Sequence, residues 1–173
     1  LVRMLMAQSQ PEEAAKALEQ LAALAPSHPV TLYLQAQQAV QKQDFKLAKD
    51  RVEQLLKRTP ESPTANELAG VIELQTGSAP QAQAFLGKAL QAAPGLRVAR
   101  RALVLAHLRA GQVDQAIAAL PEGFSPELTD ADTGMLSAAG RAYMAKGDFA
   151  LAQAYFKRAA AADPKDPAKR TSL

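Results

Sequence analysis

Several residue types that carry chemistry or span membranes are scarce in this sequence. It has no cysteine and no tryptophan, and aromatic residues make up only 5% of its 173 positions. Without cysteine, the chain has neither a disulfide nor a thiolate metal site nor a cysteine nucleophile. Charged residues or glutamine break every apolar run within a turn or two, far short of the ~20 residues that span a bilayer, so we expect no membrane span in this segment.

Helix-forming residues, chiefly Ala, Leu, Gln, Lys, Arg and Glu, are abundant. Hydrophobic residues account for 48% of the chain and charged residues for 21%, a balance that supports a continuous buried core. The net charge of +3 is mild and does not in itself indicate a nucleic-acid partner. The composition therefore predicts a folded, helical chain.

Small residues and prolines return at a fixed interval of 34 positions: Ala14, Ala48, Ala82 and Ala116, with Pro26, Pro60 and Pro94. Both series resume at Ala152 and Pro164 after two additional residues. Such a period is typical of stacked helical hairpins, in which each hairpin buries its apolar face against its neighbours. The repeat predicts a concave binding surface.

The register divides the chain into the units of a single solenoid. They are a partial repeat at 1–28, whole repeats at 29–62 and 63–96, a degenerate repeat with an insertion at 97–132, the clearest repeat at 133–166, and the start of a further helix at 167–173. Residue 1 falls within a helix of the pattern and the last residues begin another. We therefore expect the sequence to be a segment of a longer array.

Each unit is predicted to form two helices, A and B, joined by a tight turn. The turn falls at one position per unit: Ser9, Gln43, Gly77, Gly111 and Gly147. Glycine there supplies the left-handed conformation that closes a helix. Helix B is expected to begin at side chains or prolines suited to free helix amides, namely Ser9 with Glu12, Asp44, Ser78 with Pro80, and Asp148. It ends ahead of the prolines, which lack an amide donor.

The clearest unit resembles the tetratricopeptide repeat (TPR) through Leu136, Ala139, Gly140, Tyr143, Gly147, Ala152, Phe156, Ala159 and Pro164. The second and third units match the pattern more thinly. The resemblance implies an all-α fold, a right-handed superhelical array of antiparallel helix hairpins. It also implies that Gly70 and Gly140 let helices A and B approach closely.

A narrower tract is similar to the TPR-repeat lipoprotein of the exosortase/PEP-CTERM system. It runs from Gly147, Asp148 and Phe149 through Asp163, Pro164, Lys165 and Asp166 to Arg170 and Thr171, with Arg109, Ala110, Gly111 and Gln112 as a second element. Those proteins are bacterial TPR arrays associated with exopolysaccharide loci. The similarity implies a periplasmic or outer-membrane-anchored location.

The sequence offers no constellation of catalytic, cofactor-binding or metal-binding residues. His28 and His107 are isolated, and neither has a second ligand at helical spacing. The Gly87-Lys88 pair lies within a helix rather than in a phosphate-binding loop. We therefore expect a protein that is not an enzyme and that needs no cofactor.

The TPR resemblance implies that helix A of each unit lines the inner groove, where residues at i, i+4 and i+8 form one stripe. The candidate ligand groove is then Tyr33, Gln37, Glu67, Val71, Arg101, Leu105, Arg109 and Arg141. Its first half is polar, and its second half concentrates the arginines.

Two interpretations of the arginines stay open. In one, Arg97 and Arg100 are solvated and the others pair internally with Glu122, Glu127, Asp130 or Asp132. In the other, the guanidinium groups receive carboxylates from an acidic peptide or from an anionic polysaccharide. Nucleic acid is not expected, because Tyr33 is the only aromatic residue of the candidate groove and bases need stacking partners.

The fourth unit is irregular, because Pro121 cuts its helix B after about two turns. Helix A of the next unit restarts at Pro126 or after Asp130. One interpretation is a tolerated insertion with Phe124 tucked into the core. The other is a bend or a partner-binding loop.

These observations favour a non-catalytic scaffold that binds a peptide or protein partner in its concave groove, within a bacterial exopolysaccharide or protein-sorting envelope system. Two alternatives are a cytosolic scaffold or co-chaperone, and the regulatory TPR array of a larger enzyme such as a glycosyltransferase.

Overall fold

The computed structural model describes residues 11–127 and 132–162. Within these ranges the chain forms nine helices and no strand. They are α1 (Pro11–Leu24), α2 (Pro29–Gln41), α3 (Phe45–Arg58), α4 (Pro63–Gln75), α5 (Ala79–Ala92), α6 (Arg97–Arg109), α7 (Val113–Ala118), α8 (Thr133–Lys146) and α9 (Phe149–Ala162). The expectations for Ser9, Asp130, Pro164 and the helix at 167–173 lie outside the described residues. No helix in the described ranges is long and apolar enough to cross a membrane.

Consecutive helices pair as antiparallel hairpins, α2 with α3, α4 with α5, α6 with α7, and α8 with α9, and the hairpins stack into the expected right-handed array. The turn residue of each hairpin has positive φ: 59° at Gln43, 90° at Gly77, 72° at Gly111 and 86° at Gly147. These four predicted turn positions are therefore confirmed. Gln43 adopts the left-handed conformation even though it carries a side chain.

Side chains cap two of the predicted helix starts. Asp44 Oδ1 accepts the Leu47 amide at 3.0 Å, and Asp148 Oδ1 accepts the Leu151 amide at 3.1 Å. Ser78 occupies the corresponding position before α5 but makes no side-chain capping bond. There, Pro80 in the first turn leaves one fewer amide to satisfy.

Small residues allow the two helices of a hairpin to pack closely. Ala48, Ala82 and Ala116 have no exposed surface, and Ala152 is 3% exposed. A Cβ atom on Gly70 would lie 2.5 Å from Leu86 Cγ, and one on Gly140 would lie 2.7 Å from Phe156 Cε1. Both distances are shorter than van der Waals contact, so the predicted close approach is confirmed.

Aromatic residues pack the irregular fourth unit against the core. Helix α7 has only six residues. The Phe124 ring stacks on Tyr155 at 5.8 Å between centroids, and Tyr155 stacks on Tyr143 at 5.5 Å. The structure therefore matches the interpretation in which Phe124 joins the core. Helix A restarts at Thr133, after Asp130 rather than at Pro126.

Candidate functional site

Helices α2, α4, α6 and α8 form the inner layer of the array. Each of these A helices contacts the next A helix directly. Among the described residues no comparable contact links successive B helices, α1, α3, α5, α7 and α9. Because the inner side of a curved stack is the more compact one, the A helices lie on the concave side.

The candidate groove residues are partly accessible on this layer. Two are exposed, Arg109 and Arg141, and six are partly buried: Tyr33, Gln37, Glu67, Val71, Arg101 and Leu105. Gln37 Nε2 donates to Tyr33 Oη at 3.1 Å. Val71 and Leu105 pack on the apolar core beneath the layer.

One repeat position carries Tyr33, Glu67 and Arg101 in successive units, and its side chain lies at the start of the next A helix. Glu67 Oε2 accepts the amide of Ala99, in the first turn of α6, at 3.1 Å. Helix α6 has Leu96 at its N-cap, which offers no capping oxygen of its own. Glu67 thus caps a helix of the neighbouring unit, and its burial raises the pKa of this carboxyl group against the opposing effect of the Ala99 amide.

Arg101 forms an ion pair at the following junction. Its Nη1 lies 3.3 Å from Asp132 Oδ1, while Arg97 Nη2 lies 3.2 Å from Asp132 Oδ2. Asp132 also caps α8 through the Met135 amide at 2.8 Å. Partial burial opposes the change, but this amide and the two guanidinium groups together lower the pKa of Asp132. Internal pairing therefore applies to Arg101, and Arg97 is not simply solvated.

The remaining two arginines differ from Arg101 and from each other. Arg109 Nη1 donates to the carbonyl oxygen of Leu74, near the C-terminus of α4, where a cation is favourable to the helix dipole. Arg141 is exposed and makes no hydrogen bond or ion pair with the part of the chain that the structure describes. Of the three arginines, Arg141 is the one whose guanidinium group has no partner in the described part of the chain.

A pocket of about 210 Å³ opens beside Tyr33, between α2, the end of α3 and the start of α4. It is lined by Pro29, Val30, Tyr33, Leu34, Leu55, Thr59, Ser62, Thr64 and Ala65. The lining contains no charged residue. The sequence pattern identified Tyr33 as a groove residue but gave no sign of this cavity.

One side chain important to the inner layer escaped the sequence analysis. Asn66 is 2% exposed, and its side-chain amide donates to the carbonyl oxygens of Pro60 and Ser62, both at 2.9 Å. These two bonds stabilise the turn before α4. Asp132, by contrast, is one of the four acids that the sequence offers as internal partners of the arginines, and the structure pairs it with Arg97 and Arg101.

The described residues contain no group of three or more His, Asp or Glu placed to hold a metal ion. His107 Nδ1 lies 2.8 Å from Gln112 Oε1, which also accepts Gln83 Nε2 at 2.8 Å. His107 therefore belongs to a polar contact between α5 and α6.

The fold and the concave layer define a helical-repeat solenoid. Family models for tetratricopeptide repeats match residues 33–97 and residues 134–166, together more than half of the chain. The chain therefore belongs to the tetratricopeptide-repeat family, a class of protein-interaction scaffolds. No curated protein matches the chain at the sequence level.

Solved structures of TPR proteins share the fold. A thermophilic TPR protein from Thermus thermophilus superposes with a TM-score of 0.74 at 22% identity, covering 98% of this chain and 91% of that one. MamA from Desulfovibrio magneticus RS-1 gives 0.74 at 21%, covering 96% and 93%. YrrB, described as a TPR protein with an unusual peptide-binding site, gives 0.68 at 20%, covering 98% and 86%. These identities support similarity of fold alone.

Proposed function

We propose that this chain is a non-catalytic scaffold that binds a peptide or protein segment along the concave layer. The observation that carries the proposal is the direct contact between successive A helices, which makes their partly accessible side chains one continuous surface. The proposed groove consists of Tyr33, Gln37, Glu67, Val71, Arg101, Leu105, Arg109 and Arg141. Peptide binding by YrrB, which has the same fold, supports this class of partner.

An acidic segment suits this surface better than a basic one. Arg141 is exposed, and Arg109 is exposed while using one guanidinium nitrogen on Leu74. The one acid of the groove, Glu67, is engaged with the Ala99 amide. An anionic polysaccharide presents similar carboxylates and is the alternative partner. The planar guanidinium group can bind a carboxylate through two parallel hydrogen bonds, whichever molecule carries the carboxylate.

The test compares Arg141→Ala with Lys157→Ala. Lys157 lies exposed on α9, a B helix, so both variants lose one positive charge but only one loses it from the concave layer. A charged hydrogen bond contributes about 1.5 to 3 kcal/mol, so Arg141→Ala should weaken binding of an aspartate- and glutamate-rich peptide by at least about tenfold.

Isothermal titration calorimetry measures binding. The parent and both variants are titrated with the peptide and, separately, with alginate. Selective loss of peptide binding in Arg141→Ala supports the proposal, and selective loss of alginate binding alone would favour the polysaccharide. Equal weakening by both variants would indicate a nonspecific charge effect and would contradict the groove.

We further place the scaffold in a bacterial exopolysaccharide or protein-sorting envelope system. The support is the resemblance of the tract beginning at Gly147 to exosortase-associated lipoproteins. Fractionation of cells expressing the full-length protein tests this placement. Recovery with the envelope is expected, whereas recovery with the cytosol would favour the cytosolic scaffold or the regulatory array of an enzyme.

A further inference from the structure

We infer that the pocket beside Tyr33 receives a bulky apolar side chain from a peptide partner, and that acidic residues flank this side chain in the partner's sequence. The inference rests on the proposed function and assigns the specificity of one end of the groove. Its occupant is therefore a short peptide segment with one leucine, methionine or phenylalanine between acidic residues.

The size and lining of the pocket suit such a side chain. Its volume is about 210 Å³, whereas an apolar cavity of about 150 Å³ is enough to hold benzene. Pro29, Val30, Leu34, Leu55 and Ala65 contribute apolar surface. The hydroxyl groups have local partners: Thr59 Oγ1 donates to the Leu55 carbonyl, and the Ser62 and Thr64 hydroxyls lie 3.2 Å apart. An apolar side chain would therefore displace few unpaired polar groups.

The pocket arises where the repeat position of Tyr33 differs from its equivalents. At the next two junctions the corresponding residues, Glu67 and Arg101, bind polar groups at the start of the following A helix. At the first junction this position carries an aromatic ring, and the ring forms one wall of the cavity at the start of α4. The same backbone arrangement thus yields two polar contacts and one apolar pocket.

The charges around the pocket favour acidic neighbours in the ligand. The N-termini of α2 and α4 border the cavity, and neither helix has an acid in its first turn to offset its dipole. The last turn of α3, which ends just before Thr59, carries Arg58 and also Lys57, whose Nζ pairs with Glu53 at 3.0 Å. One acid, Glu61, lies in the turn between α3 and α4 and is exposed. A peptide with aspartate or glutamate on either side of its apolar residue would complement Arg58 and the two helix N-termini.

The pocket also has an exposed apolar edge. Val30 is 50% exposed at the start of α2, and Val98 occupies the same repeat position on α6 with 44% exposed. Val30 and Thr64 line the pocket, whereas Val98 does not. Position 98 is therefore a matched control for changes at the pocket mouth.

The experiment uses dye-labelled peptides that differ at one central residue, Ala, Leu or Phe, within the same aspartate-rich sequence. Fluorescence anisotropy with the parent chain should give affinities for the Leu and Phe peptides about tenfold higher than for the Ala peptide. Thr64→Trp should remove this preference by filling the mouth, while Val98→Trp should keep it. Far-ultraviolet circular dichroism confirms that both variants fold, and the introduced indole reports ligand contact because the chain has no other tryptophan.

The outcomes separate this inference from the proposed function. If the three peptides bind the parent within about twofold of one another, or if Thr64→Trp keeps the preference, the pocket is not the specificity site although the groove still binds acidic peptides. If no peptide binds the parent, both the pocket and the proposed function are contradicted.

Discussion

At the scale of single residues, the same amino acid serves opposite purposes in neighbouring helices. Gly70 in α4 is buried, and an added Cβ would collide with Leu86 and come within 3.2 Å of the Ala82 carbonyl oxygen. At Gly87 in α5, no atom outside the local helix backbone lies within 4 Å of the corresponding point. One glycine is required by packing, whereas the other only adds conformational freedom to the unfolded chain.

Replacing each glycine by alanine should therefore change stability in opposite directions. Gly70→Ala overpacks the hairpin and should lower the free energy of unfolding by about 1 to 3 kcal/mol. Gly87→Ala should raise it by about 0.5 to 1 kcal/mol, because alanine is the better residue in a helix interior. Urea denaturation followed by circular dichroism measures both. Destabilisation by Gly87→Ala would show that α5 is packed more tightly on that side than the structure indicates.

Residues that obey backbone rules were predictable from the sequence, and residues that act across units were not. The left-handed turns at Gly77, Gly111 and Gly147 followed from glycine at a fixed spacing. The capping of α6 by Glu67 did not, because donor and acceptor lie 32 positions apart and only the absence of a capping side chain at Leu96 hinted at it. Long-range polar pairing depends on how neighbouring hairpins are rotated, and a single sequence does not fix that rotation.

At the scale of helices, equivalent positions join successive hairpins with different chemistry. Lys49 of α3 pairs with Glu73 of α4 at 2.8 Å. One unit later, Gln83 and His107 meet through Gln112. In the next unit the corresponding residues, Ile117 and Tyr143, pack on the apolar core. The repeat preserves the position of each contact between hairpins but not its polarity. The 34-residue period therefore predicts how the hairpins stack, but it does not predict which ligand the groove prefers.

The hydrogen bond that links the irregular loop to α9 leads to a second prediction. Tyr155 is 2% exposed, and its hydroxyl donates to the Phe124 carbonyl oxygen at 2.8 Å. Tyr155→Phe removes this bond and should lower the free energy of unfolding by about 1 kcal/mol. Tyr143→Phe keeps the ring stack and leaves that hydrogen bond in place, so it should have a smaller effect. Urea denaturation measures both variants, and a larger effect at Tyr143 would indicate that the Tyr143 hydroxyl contributes more to stability than the hydrogen bond from Tyr155 to Phe124.

The same tyrosine should contribute to loss of stability in alkali. Burial, with smaller effects from Tyr143 and Glu127, raises the pKa of Tyr155 to about 12. In the unfolded chain the phenol titrates near its ordinary pKa of about 10. The stabilising contribution is thus fully present below pH 10 and is lost as the pH rises towards 12. Unfolding of Tyr155→Phe should depend less steeply on pH in that window, and parallel curves for parent and variant would contradict the assignment.

At the scale of the whole molecule, we expect stability to differ from one hairpin to the next along the stack. In a repeat array each hairpin is held by its own packing and by its immediate neighbours. Helix α7 has six residues, whereas α3, α5 and α9 each have 14. The α6–α7 hairpin therefore buries less surface than its neighbours, although the ring of Phe124 replaces part of the missing helix.

Hydrogen exchange at matched amides tests this unevenness. The amides of Ala82 and Ala116 occupy the same repeat position and donate to Ser78 and Gln112 over 2.9 Å and 3.0 Å. Both alanines are fully buried, so a difference in protection reports the opening of their hairpins rather than local geometry. After correction for intrinsic rates, we expect Ala116 to exchange about tenfold faster than Ala82, since α7 opens without disturbing α4 and α5. Equal protection would contradict this expectation and would mean that the array opens as one unit. The hydrogen bond from Tyr155 to Phe124 would then compensate fully for the shortened helix.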